Sequence, residues 1–226
     1  MQIHVYHSSS AGNLYRADDL LLEAGVSIRE IKRALEFRLS EIRACLITHE
    51  HGDHIKGARD LMKAGVDIYC SEGTAHSEGL KGHRLHILKA GVQASIGPYK
   101  VMPFEVKHDG EEPLGFLIVK GQEKLLFVTD TNYIPFKFKN LTHIMIGVDY
   151  DSEILKENTL LGTVDPERAK RTLQNHMSLS TALQFFRAND MSQVQAIYLI
   201  HLSDSNSNAE QFKRSVERVS GRPVYI

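Results

Sequence analysis

The chain has 226 residues, 42% of them apolar and 24% charged, a balance that excludes the disordered and fibrous classes. Its 27 basic side chains meet 28 acidic ones, which excludes the strongly basic surface of a non-specific DNA binder and leaves any polyanion contact to local features. One domain over 1–226 is expected at this length, and a cytoplasmic location, because the first residues form no signal segment and no uncharged apolar run reaches the roughly 18 residues of a membrane span.

In chain order, alternation over 2–7 predicts a strand, then Ser8-Ser9-Ser10-Ala11-Gly12-Asn13 a turn, then 20–24 a second strand. Ser27-Ile28-Arg29-Glu30 has the form of a capping box, and Ile28, Ile31, Leu35 and Leu39 share one helical face, so 27–39 is expected to be a helix. A strand over 44–48, a helix over 58–64 stopped by Gly65 and a strand over 67–70 complete a β-α-β unit. From 85 to 128 the pattern is strand-rich, with turns at Gly91, Gly97-Pro98, Asp109-Gly110 and Gly121-Gln122, and it reads as antiparallel. A strand follows over 141–148, then a helix entered through Asp165-Pro166, a helix over 178–189, a strand over 194–200, a helix over 210–219 and a last strand over 223–226. The class is α/β. Cys45 and Cys70 each lie in an apolar run and read as core thiols, neither a disulfide nor a metal pair.

Twelve histidines are present, and their spacing is informative. Thr48-His49-Glu50-His51-Gly52-Asp53-His54-Ile55-Lys56-Gly57 packs three imidazoles and a carboxylate behind a buried strand. Histidines two apart on extended chain can face one ion, while Asp53 and His54 on the next turn point to a second place beside it. Imidazole and carboxylate suit zinc, manganese or iron, and two such ions about 4 Å apart form the clamp used in phosphoester hydrolysis. His4, His7, His76, His83, His86 and His143 fit no ligand pattern and read as surface or structural.

His-x-His-x-Asp-His after a buried strand resembles the signature of the metallo-β-lactamase fold superfamily. Val106-Lys107-His108-Asp109, Val128-Thr129-Asp130-Thr131 and Ile200-His201-Leu202-Ser203 resemble its later motifs, in order. The resemblance implies a four-layer αββα sandwich. It also implies two divalent ions, Zn2+ or Mn2+, one held by His49, His51 and His108, the other by Asp53, His54 and His201, with Asp130 shared. Asp130 stands where lactamases proper commonly have cysteine, which disfavours a lactamase, and His51 stands where flavodiiron oxidoreductases have glutamate, so a hydrolytic site is implied.

Ser8 to Asn13, Asn175-His176-Met177-Ser178 and His201-Leu202-Ser203-Asp204-Ser205-Asn206 resemble the nuclease-like branch, the small WalJ (YycJ)-type hydrolases and, more distantly, ribonuclease Z. That branch implies a phosphodiesterase or exonuclease acting on DNA or RNA through a bridging hydroxide. Asp53 is then expected to orient the nucleophile, and His176 to protonate the leaving oxygen; a helix-capping or buried hydrogen-bonded histidine is the alternative for His176. A small-molecule hydrolase of a cyclic phosphodiester, lactone or thioester is the second functional reading, and a metal-stabilised module without turnover the third. The chain departs from the pattern at Glu23, where the superfamily usually has aspartate. It departs again at Gly147-Val148-Asp149, where the family stretch usually begins with glutamate and has asparagine third.

Overall fold

The opening alternation folds as a hairpin in the computed structural model, which describes residues 1–226. Strand β1 (Ile3–Ser9) runs antiparallel to β2 (Gly12–Ala17), so the expected serine-rich turn narrows to Ser10 and Ala11. Strand β2 was not apparent from its sequence. Five of its six residues are buried, and a strand covered on both faces has no polar alternation to reveal it. The chain folds as two compact units, residues 1–105 with 110–116, and residues 106–109 with 117–226.

In the first unit β3 (Leu20–Leu22) leads to α1 (Ile28–Ala34), capped by Ser27 and Glu30 through the expected reciprocal bonds. The helix stops short of Leu39. Glu36 and Phe37 take left-handed backbone (φ 51° and 61°), and their N–H groups donate to the carbonyls of Arg33 and Lys32, a Schellman closure made without glycine. Strand β4 (Ala44–Leu46), the single-turn α2 (Gly52–Ile55), α3 (Ala58–Lys63), β5 (Asp67–Cys70), α4 (Glu72–Ser77) and β6 (Leu85–Ile87) follow. The first six strands form one mixed sheet in sequence order, antiparallel over β1 to β3 and parallel from β3 to β6. Strand β6 was expected to be antiparallel; the crossover through α4 returns it parallel to β5.

Ile31 and Leu35 from one helical face pack with Ala58, Leu61, Cys45, Ile47, Ile68 and Cys70 as this unit's core. Both thiols are unbridged, and burial pushes Cys70 up to about 12 and Cys45 well above its ordinary value, so neither is a nucleophile near neutral pH. The unit also holds the antiparallel pair β7 (Ala94–Ile96) and β8 (Tyr99–Glu105).

The chain passes into the second unit along β9 (Leu114–Lys120). Then come β10 (Glu123–Val128), β11 (His143–Gly147), α5 (Ser152–Leu160), α6 (Pro166–Asn175), α7 (Leu179–Ala188), β12 (Ala196–Ile200), α8 (Ala209–Ser220) and β13 (Val224–Tyr225). Strands β10 to β13 are neighbours in order and run parallel. Asp165 caps α6 with Pro166 in its first turn, as expected, and the expected helix over 178–189 is α7, capped by Ser178. Helix α5 went unpredicted because Leu155 is its only buried residue, too little to make a periodic stripe. No helix is long and apolar enough to cross a membrane.

Candidate metal centre

In the first unit, β4 delivers buried Thr48 and His49 at its carboxyl end, and His51 is the N-cap of α2, whose single turn carries Asp53 and His54. Nε2 of His49 and Nδ1 of His51 are 3.0 Å apart, and the His49 and His54 rings lie 4.2 Å between centroids. Behind them, Glu23 is fully buried with φ 65°. Its Oε1 accepts from Thr48 Oγ1 at 2.6 Å, and its Oε2 from the Thr48 backbone N–H at 3.3 Å. Having donated its proton to Glu23, the Thr48 hydroxyl accepts from His49 Nδ1 at 2.9 Å. The His49 proton is thereby held on Nδ1, and Nε2 carries the lone pair. Glu23 Oε1 also stands 3.5 Å from His54 Nδ1, so the longer side chain reaches both supporting positions of the cluster.

The other support is Asn13, buried at the start of β2. Its amide donates to the Asp53 carbonyl at 3.1 Å and to Asp53 Oδ2 at 3.3 Å, and it stands 3.3 Å from His54 Nε2. Tyr15 donates to the other end of the same amide at 2.8 Å and fixes its orientation. Gly25 allows this loop to close: a Cβ there would lie 1.6 Å from the Asp53 carbonyl oxygen. Gly25→Ala is expected to cost about 2 kcal/mol of stability, read as a melting temperature lowered by roughly 4–8 °C.

The second unit gathers its residues by strand register. Val128 pairs with Ile146, and Gly147 with Ile200, so Asp130, Asp149 and His201 all lie just beyond the carboxyl ends of three adjacent parallel strands, where open α/β sheets bind ligands. His201 is in the left-handed region (φ 57°). Its Nδ1 is 2.7 Å from Asp149 Oδ1 and 3.6 Å from Asp130 Oδ1. His176, the C-cap of α6, brings its Nδ1 to 2.9 Å from the same Asp149 oxygen. His108 donates from Nδ1 to the Asn175 carbonyl at 3.2 Å and turns Nε2 toward Asp130 at 3.6 Å. One ligand atom from each of Asp130, Asp149, His176 and His201 lies within 4.8 Å of the others.

Charge and burial compete in this cluster. Burial opposes ionisation of Asp149, but His176 and His201 together outweigh it and hold the carboxyl below its usual range. Burial likewise opposes protonation of His176, and the Asp149 charge outweighs it, so that ring sits above the ordinary histidine value. For His108 burial prevails over Asp130 and lowers the ring.

A family model described as a beta-lactamase superfamily domain matches residues 19–202. The chain belongs to the metallo-β-lactamase superfamily. It is similar to the exodeoxyribonuclease YycJ of Bacillus anthracis, 29% identical over 97% of this chain and 89% of that one. It is also similar to the exodeoxyribonuclease WalJ of Streptococcus pneumoniae, 29% identical over 90% of this chain and 82% of that one. Among solved structures it shares the fold of the metallo-β-lactamase fold protein YhfI from Bacillus subtilis, with a TM-score of 0.73, 13% identity and coverage of 98% and 94%. The two mixed sheets with their helices are the α/β fold of this superfamily.

Membership implies divalent metal ions, and the side chains present suit them. The donors are imidazole nitrogens and carboxylate oxygens with no thiol among them, several have their other ring nitrogen fixed by a hydrogen bond, and Asp149 Oδ2 is buried without a protein partner.

Within the superfamily pattern, the departure at 147–149 has a structural reason. A side chain at Gly147 would put its Cβ 2.7 Å from the Thr129 carbonyl oxygen, against the strand that carries Asp130. The carboxylate stands instead at Asp149, whose backbone is fixed by bonds to Met177 O and from Ser203 N, both 2.9 Å. Asp149 is the residue that sequence reading passed over. Its signal was there, an acid in a family stretch that usually carries an amide. Arg171 on α6 pairs with Asp109 at 3.1 Å on the exposed side.

Proposed function

We propose that the protein is a dinuclear metal-dependent phosphodiesterase, exonuclease-like in its action on DNA or RNA, with 1–226 working as one hydrolase domain. The observation that carries this is the similarity to named exodeoxyribonucleases over nine-tenths or more of the chain, with every ligand motif present and in order. The family model supports the single domain, because residues 19–202 run through both compact units. In this reading His49, His51 and His108 hold one ion and Asp53, His54 and His201 the other, with Asp130 shared, and Zn2+ and Mn2+ both suit the donors. Bound there, such ions would supply a water ionised near neutral pH and would neutralise charge developing on the phosphoryl oxygens. A cytoplasmic location goes with the reading and suits two unbridged thiols.

The chain's own groups then divide the work. Asp53, braced by the Asn13 amide, orients the nucleophile. Asp149 Oδ1, 2.9 Å from His176 Nδ1, favours the protonated ring, leaving Nε2 to give its proton to the departing oxygen. Thr48 and Glu23 keep His49 in one tautomer, so no reorganisation is needed when the charge of the transition state develops.

The test is hydrolysis of bis-p-nitrophenyl phosphate beside 5′- and 3′-labelled single- and double-stranded oligonucleotides, with Mn2+ or Zn2+. Progressive loss of oligonucleotide, abolished in His51→Ala and slowed in His176→Ala, is the expected result. Cleavage of the small diester alone would favour the small-molecule reading, to which the near-balanced net charge of −1 lends its weight.

A further inference from the structure

The segment that leaves Asp130 sets exposed aromatic rings beside lysines. Asn132-Tyr133-Ile134-Pro135-Phe136-Lys137-Phe138-Lys139-Asn140 forms neither strand nor helix, and no acidic residue occurs between Asp130 and Asp149 in a chain that carries 28 of them. Tyr133 and Phe136 are 46% and 43% exposed, and Lys137 and Lys139 are exposed beside them. This is not a loose loop. Thr131 Oγ1 donates to the Tyr133 carbonyl at 3.0 Å, Asn189 Oδ1 accepts from the Phe138 N–H at 2.8 Å, and the Phe138 ring packs 6.5 Å from Phe185. The backbone is pinned at both ends, while two rings that an ordinary core would bury stay open to solvent.

Those rings line a groove of about 230 Å³. One wall is Tyr133, Phe136 and Lys137; the other is Thr181, Gln184 and Ala188, three positions on one face of α7. No carboxylate lines it. One wall begins three residues after Asp130, and α7 begins three residues after His176, so both walls are chain segments that follow proposed site residues in sequence.

We infer that this groove binds single-stranded nucleic acid, its bases stacking on Tyr133 and Phe136 and its phosphates meeting Lys137 and Lys139. The inference rests on the nuclease reading and gives it a substrate form. Exposed aromatic faces with interleaved lysines match a polyanion whose bases are unstacked, whereas a duplex keeps its base faces covered. Thr181 and Gln184 offer hydroxyl and amide groups to base edges without selecting a sequence. Charge complementarity favours this occupant over a second copy of the chain, whose surface carries both signs equally.

The experiment measures binding of the full chain to a fluorescein-labelled phosphorothioate oligothymidylate by anisotropy, together with the ratio of oligonucleotide to bis-p-nitrophenyl phosphate kcat/KM. Tyr133→Ala and Phe136→Ala are each expected to weaken binding about tenfold and to lower that ratio similarly, with Tyr133→Phe and Phe136→Tyr restoring both. Lys137→Gln with Lys139→Gln should reduce the slope of log affinity against log salt by about 1.4. Unchanged affinity in the Tyr133→Ala/Phe136→Ala double variant, with wild type cutting oligonucleotides, would overturn this inference alone. A wild type that turns over the small diester but neither binds nor cuts oligonucleotides would remove the nuclease reading with it. A dimer in sedimentation that the same double variant dissociates would overturn it in favour of self-association.

Discussion

Asp130→Ala is expected to lower bis-p-nitrophenyl phosphate turnover by about 10³-fold, since metal-assisted charge neutralisation contributes several kcal/mol and each 1.36 kcal/mol is a factor of ten. The side chain stands between His108 and His201, 3.6 Å from a ring nitrogen of each, and is nearly buried, so no water-exposed group replaces it on truncation. Bound metal measured by mass spectrometry should fall together with activity, because the shared carboxylate is proposed to serve both ions. The fold should survive, since the neighbouring core of β10 and β11 is apolar and untouched, and an unchanged far-ultraviolet circular dichroism spectrum would show it. Full metal content with full activity in this variant would remove Asp130 from the ligand set.

Asp149→Asn is expected to reduce kcat and metal affinity by up to about 100-fold while leaving the outline of the site intact. The amide has the same shape but no charge, and one carboxylate oxygen now meets two ring nitrogens, at 2.7 Å from His201 and 2.9 Å from His176. Removing the charge takes away what outweighs burial of the His176 ring, and it leaves an N–H aimed at one ring or the other. Asp149 acts through these rings, so it is a positioning residue. Its effect should appear in kcat and in metal titration rather than in KM for the small diester, and Asp149→Glu should recover part of both. A purely structural role would lower melting temperature and leave the properly folded fraction fully active.

Much of the molecule was legible beforehand, for reasons that differ by element. Helices α1 and α6 announced themselves through local chemistry, a capping box at Ser27 and Asp165 before proline, because a cap satisfies N–H groups three residues away or fewer. Strand β2 and helix α5 did not, one being buried on both faces and the other having a single buried residue, so neither shows the apolar–polar alternation that reveals an element. The end of α1 was misjudged because Glu36 and Phe37 adopt a conformation usually reserved for glycine.

The sequence by itself determined the family and named a roster of candidate metal-binding side chains, since the spacing of His49, His51, Asp53 and His54 is a local property and the order of the later motifs survives in one dimension. Only the tertiary structure decided what supports them: Glu23 through Thr48 to His49, Asn13 against Asp53 and His54, Asp149 between His176 and His201, and the aromatic segment against α7. The physical reason is range. A hydrophobic pattern records that a side chain is covered but not by what, and partners such as Asp149 and His201, 52 positions apart, meet only because parallel strands in register end side by side.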